Sequence, residues 1–203
     1  MTDEKRTYRK TRRAELEAET RLRITESAVA LHGSLGPSRT SVSAIAEHAG
    51  VRRSTVYRHF PDEAALFAAC SAHWRAAHPE PDIGGWARVA DPGERLRAAL
   101  RELYAYYRDT EQMRQNVLRD EELMPTIRKQ AAGFHVYLAE AEKVLMRGRG
   151  LRGAAAARTR AAIGHALAFT TWQSLAREQR LDDDEAGALM CRLVACARSL
   201  TLS

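Results

Sequence analysis

The residues between Arg52 and His59 combine charge and hydrogen-bonding capacity in a way that suits one task, contact with a polyanion whose edges carry information. Arginine presents a planar fork that pairs bidentately with guanine edges, while hydroxyls suit phosphate oxygens. Arg52, Arg53 and Arg58 supply the forks, Ser54, Thr55 and Tyr57 the hydroxyls, and His59 an imidazole. Such a set works only if a scaffold turns it outward. The spacing provides one: Val42, Ile45, Ala49, Val51, Val56 and Phe60 fall on the inward faces of two short helices, and the polar set falls outside. Gly50 separates the two helices and can take the positive φ that a tight turn needs. Thr40 or Ser41, just ahead of the first helix, can accept from its free N–H groups and stands beside the same surface. The segment reads as a helix-turn-helix, and its candidate DNA-contacting residues are Thr40, Ser41, Arg52, Arg53, Ser54, Thr55, Tyr57, Arg58 and His59.

Covalent chemistry has no comparable candidate. The chain lacks a Gly-rich phosphate loop, a G-x-S-x-G elbow and any metal-ligand spacing, so no catalytic residue, metal or cofactor is expected. Cys70, His73 and His78 share a predicted helix, but a buried small thiol beside surface imidazoles accounts for them better than a metal site. With Cys191 and Cys196 the cysteine count is odd, which argues against a disulfide framework.

The elements that position this surface all read as helices. Asp62 caps a fourth helix running to about His78, with Leu66 and Ala69 inward. Pro, Gly and Asp residues from Pro79 to Pro92 break the periodicity and mark a domain-boundary loop, in which Trp86 is either a lid over apolar surface or part of a pocket. Leu96, Leu100, Leu103 and Tyr107 then form one buried stripe, and the stretch from Glu111 to Met124 reads as a short helix and a turn. Pro125 starts a long helix that ends at Gly148 to Gly150. A helix from Ala154 to about Arg180 and another after Asp182, with Met190, Leu193, Ala197 and Leu200 on one stripe, complete an all-α chain. The expected organisation is a flexible basic arm over 1–13, a DNA-binding domain over 14–78 and a second helical domain over 79–203.

From Ile24 to Leu66 the chain resembles the tetracycline-repressor-like (TetR) family of bacterial transcription regulators. The resemblance rests on Ile24, Ala28, Leu31 and Gly36, on Ile45-Ala46-x-x-Ala49-Gly50-Val51, on Thr55-Val56-Tyr57-x-His59-Phe60 and on Leu66-Phe67. Ser54 stands where the family usually has glycine, and Glu63 where it commonly has a phosphate-touching lysine, so that lysine's contact is not carried over. The resemblance implies a homodimer that binds a palindromic operator, most often as a repressor, and is released by a small molecule. It also places an effector pocket in the second domain, bordered here by Trp86, Tyr104, Tyr107, Met113, Phe134, His135 and Tyr137, whose rings suit an apolar or aromatic compound. It assigns the last two helices to dimerisation, with Ala161, His165, Ala168, Trp172, Met190, Leu193 and Ala197 at the seam.

Composition agrees with this reading. A net charge of +6 favours an anionic partner, and the charge gathers at Lys5, Arg6, Arg9, Lys10, Arg12 and Arg13 and again around Arg52, Arg53 and Arg58. The basic stretch reads either as a solubilising tail or as an arm that follows the backbone or enters a minor groove. No apolar run approaches the roughly 20 residues needed to cross a bilayer, and Met1 to Lys10 lack a signal-peptide core, so a cytoplasmic protein with no membrane partner is expected. The alternatives are an activator of the same fold and a non-specific architectural DNA-binding protein. The latter would not need so much amphipathic helix behind the reading head.

Overall fold

A computed structural model describes residues 2–199, with side chains from Thr7 onward. The side chains of Lys5 and Arg6, and the whole of Met1 and Leu200, lie outside the described residues. Every described element is helical: α1 (Thr2–Ser34), α2 (Val42–His48), α3 (Arg53–His59), α4 (Glu63–Ala77), α5 (Ile83–Ala87), α6 (Pro92–Glu121), α7 (Pro125–Met146), α8 (Gly153–Leu167), α9 (Phe169–Gln173) and α10 (Asp183–Ala197). The chain divides into two compact units, one of residues 1–79 with 112–131 and the other of 80–111 with 132–203. None of the helices among the described residues is long and apolar enough to cross a membrane.

In the first unit α1 to α4 close over Ile24, Ala28, Val42, Ile45, Ala46, Ala49, Val56, Phe60, Leu66 and Cys70, all buried. The starts of α2 and α4 have a local cause. The Ser41 hydroxyl accepts from the Ala44 N–H at 3.1 Å, and the Asp62 carboxylate accepts from the Ala65 N–H at 2.7 Å, filling donors that a helix start leaves open. The end of α1 is held differently. Gly36 at φ 97° and ψ 153° turns the chain into a short 3-10 turn over Pro37–Arg39. Asn116 of α6 donates to the carbonyls of His32 and Gly33 at 3.1 and 2.7 Å, and Arg119 donates to that of Leu35 at 3.1 Å. The buried Asp120 carboxylate accepts from the Ser38 N–H at 2.9 Å and from Arg119 at 2.8 Å. Burial pulls that carboxyl upward, but the Arg119 and Ser38 hydrogen bonds outweigh it and hold the group below its ordinary value.

The second unit is built on the stripe of Leu96, Leu100, Leu103 and Tyr107, joined by Ala141, Leu145, Ile163, Trp172, Met190 and Val194. Asp91 accepts from the N–H groups of Gly93 and Glu94 and starts α6 at Pro92. The buried Arg95 guanidinium donates to the carbonyls of Val89, Ala90, Val144 and Arg147, closing the end of α7. Asp182 and Glu185 form a capping box on α10.

Besides the amino-terminal stretch, which belongs to α1 from Thr2 onward instead of forming a flexible arm over 1–13, the structure departs from the sequence reading at three places in the chain path. Glu111 to Met124 is no separate helix: α6 runs unbroken to Glu121, because no glycine or proline interrupts 94–124 and good helix formers fill it. The loop from Pro79 to Pro92 contains α5, capped by Asp82. The helix expected from Ala154 to Arg180 breaks at Ala168, which is extended at φ −71° and ψ 135°, and a π-helical turn over Ser174–Glu178 follows α9. The break leaves the carbonyls of Ala166 and Leu167 free, and the hydroxyls of Tyr104 and Tyr107 donate to them at 3.0 and 2.6 Å. Tertiary hydrogen bonds from α6 therefore replace the helical ones.

Candidate nucleic-acid interface

Within the first unit, α2 and α3 are joined by a Schellman turn. The Val51 N–H reaches the Ala46 carbonyl at 2.9 Å and the Gly50 N–H reaches the Glu47 carbonyl at 3.0 Å, with Gly50 at φ 64°. Val56 of α3 and Phe60 at its C-cap are 1 % exposed, so that side of the helix is committed to the core. The opposite face is free: Arg52, Arg53, Ser54, Tyr57 and Arg58 are exposed and Thr55 is half-buried. The sequence reading placed these residues together, and the structure brings all of them to one short helix and its entry.

The side chains on this face are organised. Arg53 donates to the Tyr57 hydroxyl at 3.2 Å and lies 5.5 Å from its ring centre, a contact that raises the arginine pKa through that hydrogen bond. A guanidinium held over an aromatic face loses less rotamer freedom on binding than a free one. Ser41 is exposed and serves as cap, while Thr40 is half-buried and its hydroxyl donates to the Gly36 carbonyl at 2.8 Å. His59 differs from its expected role. Its Nε2 is buried with no protein hydrogen-bond partner, and burial followed by repulsion from Arg58 and Arg21 lowers its pKa. Buried in this way, Nε2 offers no hydrogen bond to a phosphate in this conformation, while the residue as a whole is half-buried at the end of α3.

Arg21 is a residue that sequence reading passed over. Its guanidinium donates to the His59 carbonyl and stacks 4.1 Å from the Phe60 ring centre, tying α1 to the end of α3. The carbonyl end of a helix favours a cation, which explains the pairing, but only the fold brings position 21 beside position 59. The His32 group was missed as well. His32 is buried, lies 3.5 Å from the Cys70 thiol through Nδ1 and stacks on Phe67 at 4.8 Å between ring centres. Burial lowers its pKa to about 4, partly offset by Asp120, and burial raises the Cys70 thiol to about 12. Cys70 thus packs against His32, and among the described residues no cluster of His, Cys, Asp or Glu could hold a metal.

The residues expected to border an effector separate into groups. Trp86, Tyr104 and Tyr107 are at most 1 % exposed and belong to the core. The Trp86 indole N–H donates to Glu102 at 2.8 Å and the two tyrosine hydroxyls donate to the helix break, so Trp86 is neither lid nor open wall. Met113 lies in the first unit, near Gly33, and His135 is exposed. Phe134 and Tyr137 are half-buried, stacked 5.5 Å apart at 18°, and Tyr137 donates to the Pro81 carbonyl at 3.0 Å. Of the seam residues, Trp172, Met190 and Ala197 are buried inside the subunit and cannot meet a partner there. Trp172 is instead held by Asp183 at 2.9 Å and by Arg177 over its ring. Ala161 and His165 of α8 and Leu193 of α10 are exposed, as is Leu189, and Ala168 is half-buried at the break.

Residues 24–70 match the family model described as bacterial regulatory proteins, tetR family. No curated protein sequence matches the chain. Among solved structures, similar folds include a proposed tetR-family transcriptional regulator from Mesorhizobium loti, at 21 % identity over 90 % of this chain and 96 % of that one, with a TM-score of 0.62. A proposed fatty acid metabolism regulator from Clostridium perfringens superposes with a TM-score of 0.63 at 15 % identity, over 89 % of this chain and 100 % of that one. NalD, the secondary repressor of the MexAB-OprM multidrug efflux pump in Pseudomonas aeruginosa, gives 0.58 at 19 % identity, over 90 % and 97 %. At such identities the likeness establishes the fold and leaves ligand and target to be argued from this chain.

Proposed function

We propose, from the premise that residues 24–70 carry the DNA-binding domain of the tetR family, that this protein is a ligand-responsive transcriptional regulator, most simply a repressor, acting in the cytoplasm on a palindromic operator as a homodimer. The observation that carries the reading is the outward face of α3, where Arg53 is held over Tyr57 while Val56 and Phe60 are locked into the core. A rigid short helix with an ordered guanidinium on its free side can read base edges in a major groove. Arg53 is assigned to a base edge, and Arg52, Ser54, Thr55, Tyr57 and Arg58, with Ser41, to positioning on phosphates.

Dimerisation is assigned to the exposed residues of the last helices: Ala161 and His165 of α8 with Leu189 and Leu193 of α10. Small residues on α8 permit close approach, and the two exposed leucines supply apolar surface. The effector is a hydrophobic or aromatic compound bordered by Phe134 and Tyr137. Support comes from the half-buried stacked pair and from relatives of this fold named for fatty acid metabolism and multidrug efflux. Release follows a population shift: a compound that prefers the conformation unable to bind operator lowers affinity in proportion to that preference. α6 is the covalent route, since one unbroken helix carries the core tyrosines Tyr104 and Tyr107 and, further along, the residues Asn116, Arg119 and Asp120 that grip the end of α1. Selection of bound duplexes from a random pool tests the reading. A palindromic motif is expected, and enrichment of no sequence would overturn it.

A further inference from the structure

The stretch expected as an arm is helical, and its geometry assigns it a partner. We propose that the stretch of α1 from Thr7 to Glu19 forms a basic rail that lies along the DNA backbone flanking the operator, an inference that rests on the DNA-binding reading above. Three observations lead there. α1 is one helix from Thr2 to Ser34, yet every side chain from Thr7 to Glu19 is exposed, so nothing within the subunit covers this segment. Isolated helices of such length are marginal in water, and like charges at three- and four-residue spacing, here Arg9 with Arg12 and Arg13, weaken them further. A polyanion alongside turns that repulsion into attraction.

The second observation is the register. At 3.6 residues per turn, Arg9, Lys10, Arg12 and Arg13 fall within an arc of about 160°, and the same arc further along α1 holds Ile24, Ser27, Ala28 and Leu31. Ile24, Ser27 and Ala28 are buried, so this arc is part of the face with which α1 packs onto the core of the first unit, a face that continues past the arc to the buried Thr25 and His32. The basic face therefore looks to the same side as the reading head. Glu17, paired with Arg13 at 3.1 Å, is the acid within the arc, while Glu15 and Glu19 fall outside it.

The third observation is the anchor. Arg21 binds the His59 carbonyl and the Phe60 ring, which fixes where α1 passes the end of α3. With a rise of about 1.5 Å per residue, Arg13 and Arg9 stand roughly 12 and 18 Å beyond that point. Along a duplex that distance is about 4 to 5 base pairs at 3.4 Å each. A rail of that reach touches phosphates outside the bases that α3 reads, and adds affinity without adding sequence preference.

The test compares the full chain with a variant carrying Arg9→Gln, Lys10→Gln, Arg12→Gln and Arg13→Gln, which keeps helix-forming residues in place. Binding is measured against salt on a mixed-sequence 40-base-pair duplex and on the duplex recovered by selection, with circular dichroism as a fold control. The variant should show a log K against log salt slope shallower by at least about 2, since each lost phosphate contact removes about 0.9, and at least tenfold weaker binding near 150 mM salt. On the recovered duplex trimmed flush with its motif the difference should vanish. An unchanged slope on both duplexes, or a deficit that persists on the trimmed duplex, would overturn the rail. Loss of binding to phosphatidylglycerol vesicles with an unchanged DNA slope would overturn it in favour of a membrane surface. A wild-type chain that enriches no motif would sink the regulatory reading instead, while the mixed-sequence slopes would still decide the rail.

Discussion

Replacing Gly36 and Gly50 separately by alanine asks whether the end of α1 is held as tightly as its hydrogen bonds imply. Both glycines have positive φ, but their surroundings differ. Gly50, at φ 64°, has nothing within 4 Å of an added Cβ, so Gly50→Ala meets only the left-handed backbone penalty of about 1 to 2 kcal/mol, reduced by a few tenths through the stiffer unfolded chain. Gly36 sits at φ 97° and ψ 153°, a region open to glycine almost alone, which costs roughly 1 to 3 kcal/mol for another residue. Its added Cβ would stand 1.9 Å from Arg119 Nη2 and 2.9 Å from Asp120 Oδ2. Arg119 can swing aside, but the Asp120 carboxylate is buried and bonded to the Ser38 N–H, and displacing it leaves a buried group unpaired at about 1 to 3 kcal/mol. Gly36→Ala should therefore lose about 3 to 5 kcal/mol and Gly50→Ala about 1, read as urea-unfolding midpoints by circular dichroism. Equal losses, or a loss under about 1 kcal/mol at Gly36, would refute the grip of Asn116, Arg119 and Asp120 on α1.

Tyr107→Phe should lower stability by about 1 to 3 kcal/mol, because the buried Leu167 carbonyl at the helix break loses its 2.6 Å donor; a neutral substitution in the same melt would show that the break needs no hydroxyl. Acid should destabilise the protein before its carboxylates titrate. Between pH 6.5 and about 4 the unfolded chain protonates His32 while the folded chain resists, so up to about 3 kcal/mol present at neutral pH is lost as pH falls through that window. His32→Gln should flatten that part of the stability profile, and an unaltered slope would mean that His32 protonates freely in the fold. Leu193→Glu, placing a charge on a half-exposed leucine outside the subunit core, should give monomers in sedimentation and weaken operator binding without lowering the melting temperature of the subunit; a stable dimer would move the interface elsewhere.

The reading head was legible in the sequence because its cues are local. Ser41, Gly50 and Asp62 each act through their own neighbours in the chain, and Val42, Ile45, Val56 and Phe60 declare their faces by spacing. The stripe of α6 was legible for the same reason. What escaped depends on residues far apart in sequence. Arg21 meets His59, Asn116 meets His32, and Tyr107 frees α8 from its helical path at Ala168, where no glycine or proline gives warning. Trp86 and Trp172 illustrate the same limit. An aromatic residue in a glycine-rich loop and another on a small-residue helix invite roles in a pocket and at a seam, yet both close the core of the second unit, with their indole N–H groups held by Glu102 and Asp183. Periodicity gives the face of a helix but not which neighbour covers it.

The central claim, that the outward face of α3 reads sequence, is tested most directly by equilibrium binding of the wild-type chain and Arg53→Ala to the selected duplex and to each of its single-base variants. The account predicts that wild type distinguishes the variants and that Arg53→Ala loses discrimination at one symmetric pair of positions while retaining it elsewhere, as expected if one guanidinium in each subunit pairs with one base edge. A uniform loss across all duplexes would make Arg53 a phosphate contact, and a wild-type chain that binds every variant equally would contradict the claim itself.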